Sequence, residues 1–107
     1  MDQHSLDRLF ALIESRRKAD PDQSYTAALL ARGRLHCARK LGEESIETVL
    51  AAATADNTAI IKESSDLLYH LLVLWAACGI TPAEIYAELR VRERQSGLEE
   101  KASRPGK

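Results

Sequence analysis

The stretch that most limits the fold is residues 58–78. It contains neither Gly nor Pro, and Gly79 follows it. Such a run reads as one helix closed by a glycine C-cap. Its second half, Leu71-Leu72-Val73-Leu74-Trp75-Ala76-Ala77, has no charged residue and is apolar all round. A soluble helix of that kind has to be covered on every side. The first half differs. Glu63, Asp66 and His70 share one face over two turns, and the same face continues into Val73 and Ala77. The acids therefore sit at the wet end of an otherwise buried rod. At 107 residues the chain predicts a single domain spanning 1–107. The other helices of so short a chain are too few to wrap that rod, so a homodimer is predicted, with this helix near its centre.

The remaining elements also read as helical. Only five Gly and three Pro occur, and no run alternates for long with period 2. Ser5 is the predicted cap of a first helix carrying Leu6, Leu9, Phe10 and Ile13 inward, with Arg16-Arg17-Lys18 at its negative end. Asp20-Pro21-Asp22 breaks it, and Ser24 caps a short helix ending near Gly33. A long helix over 34–53 follows. Leu35, Ala38, Gly42, Ile46, Val49 and Ala53 form its predicted core face, and Lys40, Glu44 and Glu47 the opposite one. Residues 54–57 read as a turn. Thr81-Pro82-Ala83-Glu84 is a capping box with Pro at the first helical position, opening a last helix that runs into Arg90, Arg92 and Arg94 and stops at Gly97. The polar segment 98–107 is predicted to be mobile at its end. The expected architecture is an all-α bundle of four to five helices, completed by homodimerisation.

Two carboxylate pairs give this scaffold its chemistry. Glu44 and Glu47 are three residues apart on one helix, and Glu63 and Asp66 three apart on the next. That spacing makes neighbours on a helix face. Four carboxylates meeting about 5 Å apart would repel by roughly 3 kcal/mol per pair at an effective dielectric near 20. A divalent cation removes the repulsion, and an oxygen-only set suits a hard ion, chiefly Mg²⁺. Such an ion polarises phosphoryl oxygens and stabilises a departing pyrophosphate. Glu43, or a carboxylate outside the ligand set, is the candidate general base. Taken alone, Glu43, Glu44 and Glu47 read equally as a solvated surface, and the whole as a helical interaction module. His70 reads first as a satisfied core histidine, with contact to an acid or to substrate as the alternative. Lys40 shares the face of Glu44 and Glu47, from where it reaches a phosphate. Lys101 and Arg104 are tail charges by default.

Composition narrows the partners. A net charge of −1 provides no footprint for nucleic acid or an anionic membrane. The longest uncharged stretch, 67–82, is shorter than the roughly 20 residues of a membrane helix. Cys37 and Cys78 lack metal-ligand spacing, and the N-terminus lacks an apolar signal core, so a reducing cytoplasm is expected.

Several blocks together resemble the phosphoribosyl-ATP pyrophosphatase family, within the all-α MazG-type nucleotide pyrophosphohydrolases. Glu44/Glu47 and Glu63/Asp66 match the superfamily's Glu-x-x-Glu and Glu-x-x-Asp. Ser24-Tyr25-Thr26, Lys40-Leu41-Gly42-Glu43-Glu44, the run from Asp66 through Tyr69-His70 to Val73, and the ending from Ser96-Gly97 to Arg104 are similar to the narrower family. Arg39 stands where a second lysine is common, and Ser45 and Ser65 where alanine is usual; no carboxylate is lost. The resemblance implies Mg²⁺-dependent hydrolysis of 1-(5-phosphoribosyl)-ATP to 1-(5-phosphoribosyl)-AMP and pyrophosphate, the second step of histidine biosynthesis. It implies a cytoplasmic homodimer, Glu44, Glu47, Glu63 and Asp66 around the metal, and Lys40, His70, Lys101 and Arg104 at the substrate. A pyrophosphohydrolase of other nucleoside triphosphates is the nearest alternative, since it would use the same acids.

Overall fold

Five helices account for the regular structure of residues 4–54 and 56–95, the part of the chain described by the computed structural model. They are α1 (Ser5–Ser15), α2 (Tyr25–Arg32), α3 (Arg34–Ala53), α4 (Asn57–Cys78) and α5 (Pro82–Arg94). No strand occurs among the described residues, as the composition leads one to expect.

Local chemistry sets the boundaries. The cap of α1 is His4 rather than Ser5: His4 Nδ1 accepts the Leu6 N–H at 3.0 Å, while the Ser5 hydroxyl accepts from Arg8. Ser24 Oγ caps α2 through the Ala27 N–H at 3.1 Å, and Asp56 caps α4 through the Ala59 N–H at 3.2 Å. Because Asp56 takes that role, α4 starts at Asn57, inside the predicted turn. Gly79 closes α4 in the left-handed region, at φ 74°. At the start of α5, Glu84 Oε1 accepts the Thr81 N–H at 2.9 Å, so the box forms as expected. Helix α5 ends at Arg94 with Gln95 as its C-cap; the predicted stop at Gly97 lies outside the described residues.

Helices α3 and α4 form an antiparallel hairpin that is the spine of the molecule. Helix α1 packs on α4, α2 wedges against both hairpin arms, and α5 lies on α1. Arg17, in the turn after α1, donates to the Ala76 carbonyl at 2.8 Å and so fastens α1 near the negative end of α4. The core is Ile13, Leu29, Cys37, Leu72, Val73, Trp75 and Ala76.

One expectation about packing is corrected. Within one protomer most of the apolar half of α4 is covered: Leu72 and Val73 are 0% exposed, and Leu71, Leu74 and Ala77 are partly buried. The uncovered apolar surface lies instead on α3, whose predicted core face points outward. Leu35 is 81%, Val49 66% and Ile46 61% exposed, with Leu50 beside them and Ile61 and Leu68 exposed on α4. Buried or half-buried on the other side of α3 are Cys37, Leu41, Glu44, Thr48 and Ala51, alternately four and three apart in the manner of a coiled-coil seam, with half-buried His36, Ala38, Lys40 and Ser45 at its flanks. Small and hydroxyl side chains permit the approach. The Thr48 hydroxyl donates to the Glu44 carbonyl at 2.9 Å and sits 3.4 Å from that of Glu63. Periodicity located the apolar stripe but could not say that α4 would choose the other side.

Candidate metal centre

The seam that turns Cys37 and Thr48 toward α4 also turns Glu44 toward it. Opposite, α4 presents Glu63 and Asp66, one helical turn apart. Glu44, Glu63 and Asp66 each offer a carboxylate oxygen within 4.8 Å of the others. Glu44 and Glu63 are half-buried and Asp66 is exposed, so the group is a floor with one open side. Three of the four predicted carboxylates thus meet across two helices. Glu47 is exposed one turn along α3 and lies outside that set.

The neighbours of the acids leave their charge largely standing. His70 is 5% exposed, with Nε2 3.8 Å from Glu44 Oε1, beyond hydrogen-bond reach. Burial pushes its imidazole below the ordinary value, and Lys40 pushes the same way more weakly. A neutral ring cannot balance Glu44. The Lys40 ammonium is committed locally, donating to Glu43 Oε1 at 3.1 Å. That hydrogen bond is the main reason the ammonium is raised and the Glu43 carboxyl lowered from their usual values. Glu43 is accordingly a poorer proton acceptor than the sequence suggested. The donor set of Glu44, Glu63 and Asp66 is oxygen-only, anionic and partly shielded from water, which fits a hard divalent cation.

Aromatic rings flank the group, a feature the spacing of the acids does not reveal. Tyr69 and His70 are edge-on at 5.0 Å, and the exposed Tyr25 stacks on Tyr69 at 6.4 Å while meeting His70 edge-on at 6.1 Å. The Tyr69 and Thr26 hydroxyls are hydrogen-bonded, joining α2 to α4. The adjacency of Tyr69 and His70, with a tyrosine at the start of a capped helix, was the available sign of this. Lys101 and Arg104 lie outside the described residues.

The family model described as phosphoribosyl-ATP pyrophosphohydrolase matches residues 6–93. The phosphoribosyl-ATP pyrophosphatase of Parvibaculum lavamentivorans is 56% identical over 103 residues, covering 96% of this chain and 94% of that protein. Those of Paramagnetospirillum magneticum and Azospirillum brasilense are 52% and 50% identical, over 99% and 92% of this chain and 97% and 89% of theirs. A match through every helix, with the acids of α3 and α4 brought together, places this chain in the phosphoribosyl-ATP pyrophosphohydrolase family.

Proposed function

We propose that the protein hydrolyses 1-(5-phosphoribosyl)-ATP to 1-(5-phosphoribosyl)-AMP and pyrophosphate in histidine biosynthesis. The observation that carries this is the meeting of Glu44, Glu63 and Asp66 within 4.8 Å, in a chain of this family. Water adds across the anhydride between the α and β phosphorus atoms, and pyrophosphate departs. Mg²⁺ is the proposed ion, held by Glu44, Glu63 and Asp66 with Glu47 as the fourth carboxylate. When bound, it supplies Lewis-acid polarisation of the phosphate chain and a counter-charge for the leaving group.

The chain's own groups do the rest. Lys40 exchanges its bond to Glu43 for a phosphate oxygen, and Lys101 and Arg104 are further proposed phosphate contacts. His70 stays neutral, fills the space behind Glu44 and holds it toward α4. Glu43, outside the ligand set and released when Lys40 turns to phosphate, orients the attacking water.

The single domain acts as a homodimer in this reading, through the exposed face of α3 that carries Leu35, Ile46 and Val49. No single described helix is long and apolar enough to cross a membrane. The near-neutral charge supports a small-molecule substrate rather than nucleic acid or a membrane surface. Both cysteines are free thiols, which supports a cytoplasmic location.

The test is pyrophosphate release from phosphoribosyl-ATP, with Mg²⁺ and then with excess chelator, beside the same assay on dUTP and dCTP. Chelator-sensitive release from phosphoribosyl-ATP alone is expected. Equal or faster turnover of the ordinary triphosphates would overturn the assignment.

A further inference from the structure

Tyr25 is a large ring left 57% exposed, yet its place is fixed. It opens α2 directly after the Ser24 cap, and Thr26 beside it is hydrogen-bonded to the Tyr69 hydroxyl on α4. That bond holds the first turn of α2 against α4. Tyr69 stacks on Tyr25 at 6.4 Å with 22° between the ring planes, and His70 meets Tyr25 edge-on at 6.1 Å. A single exposed aromatic is ordinary on a protein surface. This one is backed by two further rings that are themselves buried or half-buried. The cluster reaches the acids through His70, whose Nε2 lies 3.8 Å from Glu44 Oε1. Lys40 is close as well. Its ammonium is raised chiefly by the bond to Glu43, and next by the nearby Tyr25 phenol. A fixed, exposed ring thus stands one side chain away from the carboxylates and beside a proposed phosphate contact.

The chemistry of the substrate says what such a ring can recognise. In phosphoribosyl-ATP the second ribose is attached to N1 of the adenine. Substitution there turns the N1–C6–N6 group into an amidine, far more basic than the amino group of adenosine, so the purine is protonated and cationic near neutral pH. The purine of an ordinary nucleoside triphosphate is neutral there. A cation is attracted to the electron-rich face of an aromatic ring. We propose that the exposed face of Tyr25 stacks on the purine of phosphoribosyl-ATP and selects it over other nucleotides by that positive charge. One ribose separates the adenine from the α phosphorus, and one side chain, His70, separates Tyr25 from Glu44, so base and phosphate chain are met together. Tyr69 and Thr26 are positioning residues for the ring. The inference deepens the proposed function and rests on it for the substrate.

The experiment compares steady-state kinetics on phosphoribosyl-ATP for wild type, Tyr25→Phe and Tyr25→Leu, with circular dichroism as the check on folding. Tyr25→Leu should raise KM about fivefold or more with kcat within about twofold, and Tyr25→Phe, which keeps the ring, should stay within about twofold of wild type. Calorimetric titration with Mg²⁺ present then sets 1-methyl-AMP, a cation, beside AMP and beside 1-methyl-IMP, which has the methyl group without the charge. Wild type and Tyr25→Phe should bind 1-methyl-AMP about threefold or more tighter than either neutral nucleotide, and Tyr25→Leu should bind all of them alike. Equal binding of 1-methyl-AMP and 1-methyl-IMP by wild type would show that charge is not read, and would overturn the inference. An unaltered KM in folded Tyr25→Leu, beside a wild type that turns over phosphoribosyl-ATP, overturns it too and leaves the function standing. If Tyr25→Leu does not fold, the wild-type preference among the nucleotides decides instead. A wild type inactive on phosphoribosyl-ATP overturns the function; the titrations then decide the ring alone, and no preference for the cation sinks it.

Discussion

Glu63 and Asp66 differ from surface acids in one respect: a third carboxylate, Glu44, faces them from another helix. Replacing either by its amide should lower kcat by about 100-fold or more, because a charge that holds the proposed ion is gone. The metal-free fold should melt no lower than wild type, since one like charge is removed from a crowded group. Thermal melts with chelator, run beside the activity assay, check both halves; a parallel loss of folding would reduce these acids to structural roles. His70 makes the complementary case. Burial depresses its pKa, so below the unfolded value of about 6.5 the unfolded chain binds a proton that the folded chain refuses. The stability this group contributes is complete above about pH 6.5 and is lost as pH falls through that value toward the folded pKa. In metal-free protein, His70→Gln should flatten the acid side of the urea midpoint against pH; an unchanged slope would show that His70 titrates as it does in water. The spacing of the acids was visible in the sequence. The direction of Glu44 was not, because it depends on which side of α3 meets α4.

At the scale of the element, caps and stops were the most legible feature. Ser24, Gly33, Gly79 and the Thr81–Glu84 pair act where sequence chemistry puts them, because each bond is local. Gly79→Ala forces a side chain into the left-handed region at φ 74° and should cost about 1–2 kcal/mol. For a chain of this size that is a fall of roughly 4–8 °C in Tm per kcal/mol, readable by calorimetry. The faces of the helices were less legible. Leu35, Ile46 and Val49 form an apolar stripe, and it was natural to give it to the core. The structure leaves it in solvent and puts Cys37, Thr48 and Ala51 against α4. On the proposed dimer, Val49→Lys should convert wild-type dimer to monomer at micromolar concentration in sedimentation analysis, with helicity by circular dichroism retained. A monomeric wild type would remove the case for that interface.

For the whole molecule, the balance of buried and bare apolar side chains is the informative quantity. Leu72 and Val73 are wholly enclosed, yet large side chains on α3, α4 and α5 remain in water. Leu72→Ala should cost about 2–5 kcal/mol, a large share of the roughly 5–15 kcal/mol of a typical domain, and denaturant titration would measure it. If the dimer forms as proposed, Tm will also rise with protein concentration, since association favours the folded state by mass action. The sequence alone determined that the chain is helical, where most of its described helices start and stop to within a turn, and that two of them carry acids one turn apart. Those are consequences of local backbone chemistry and of a periodicity that any helix obeys. Only the tertiary structure decided which side of α3 would lie against α4. A stripe of Leu, Ile and Val records that something apolar must eventually cover it, but not whether the cover is the same chain or another. Close packing between α3 and α4 favoured the small residues of the other side, and that choice brought Glu44 to Glu63 and Asp66.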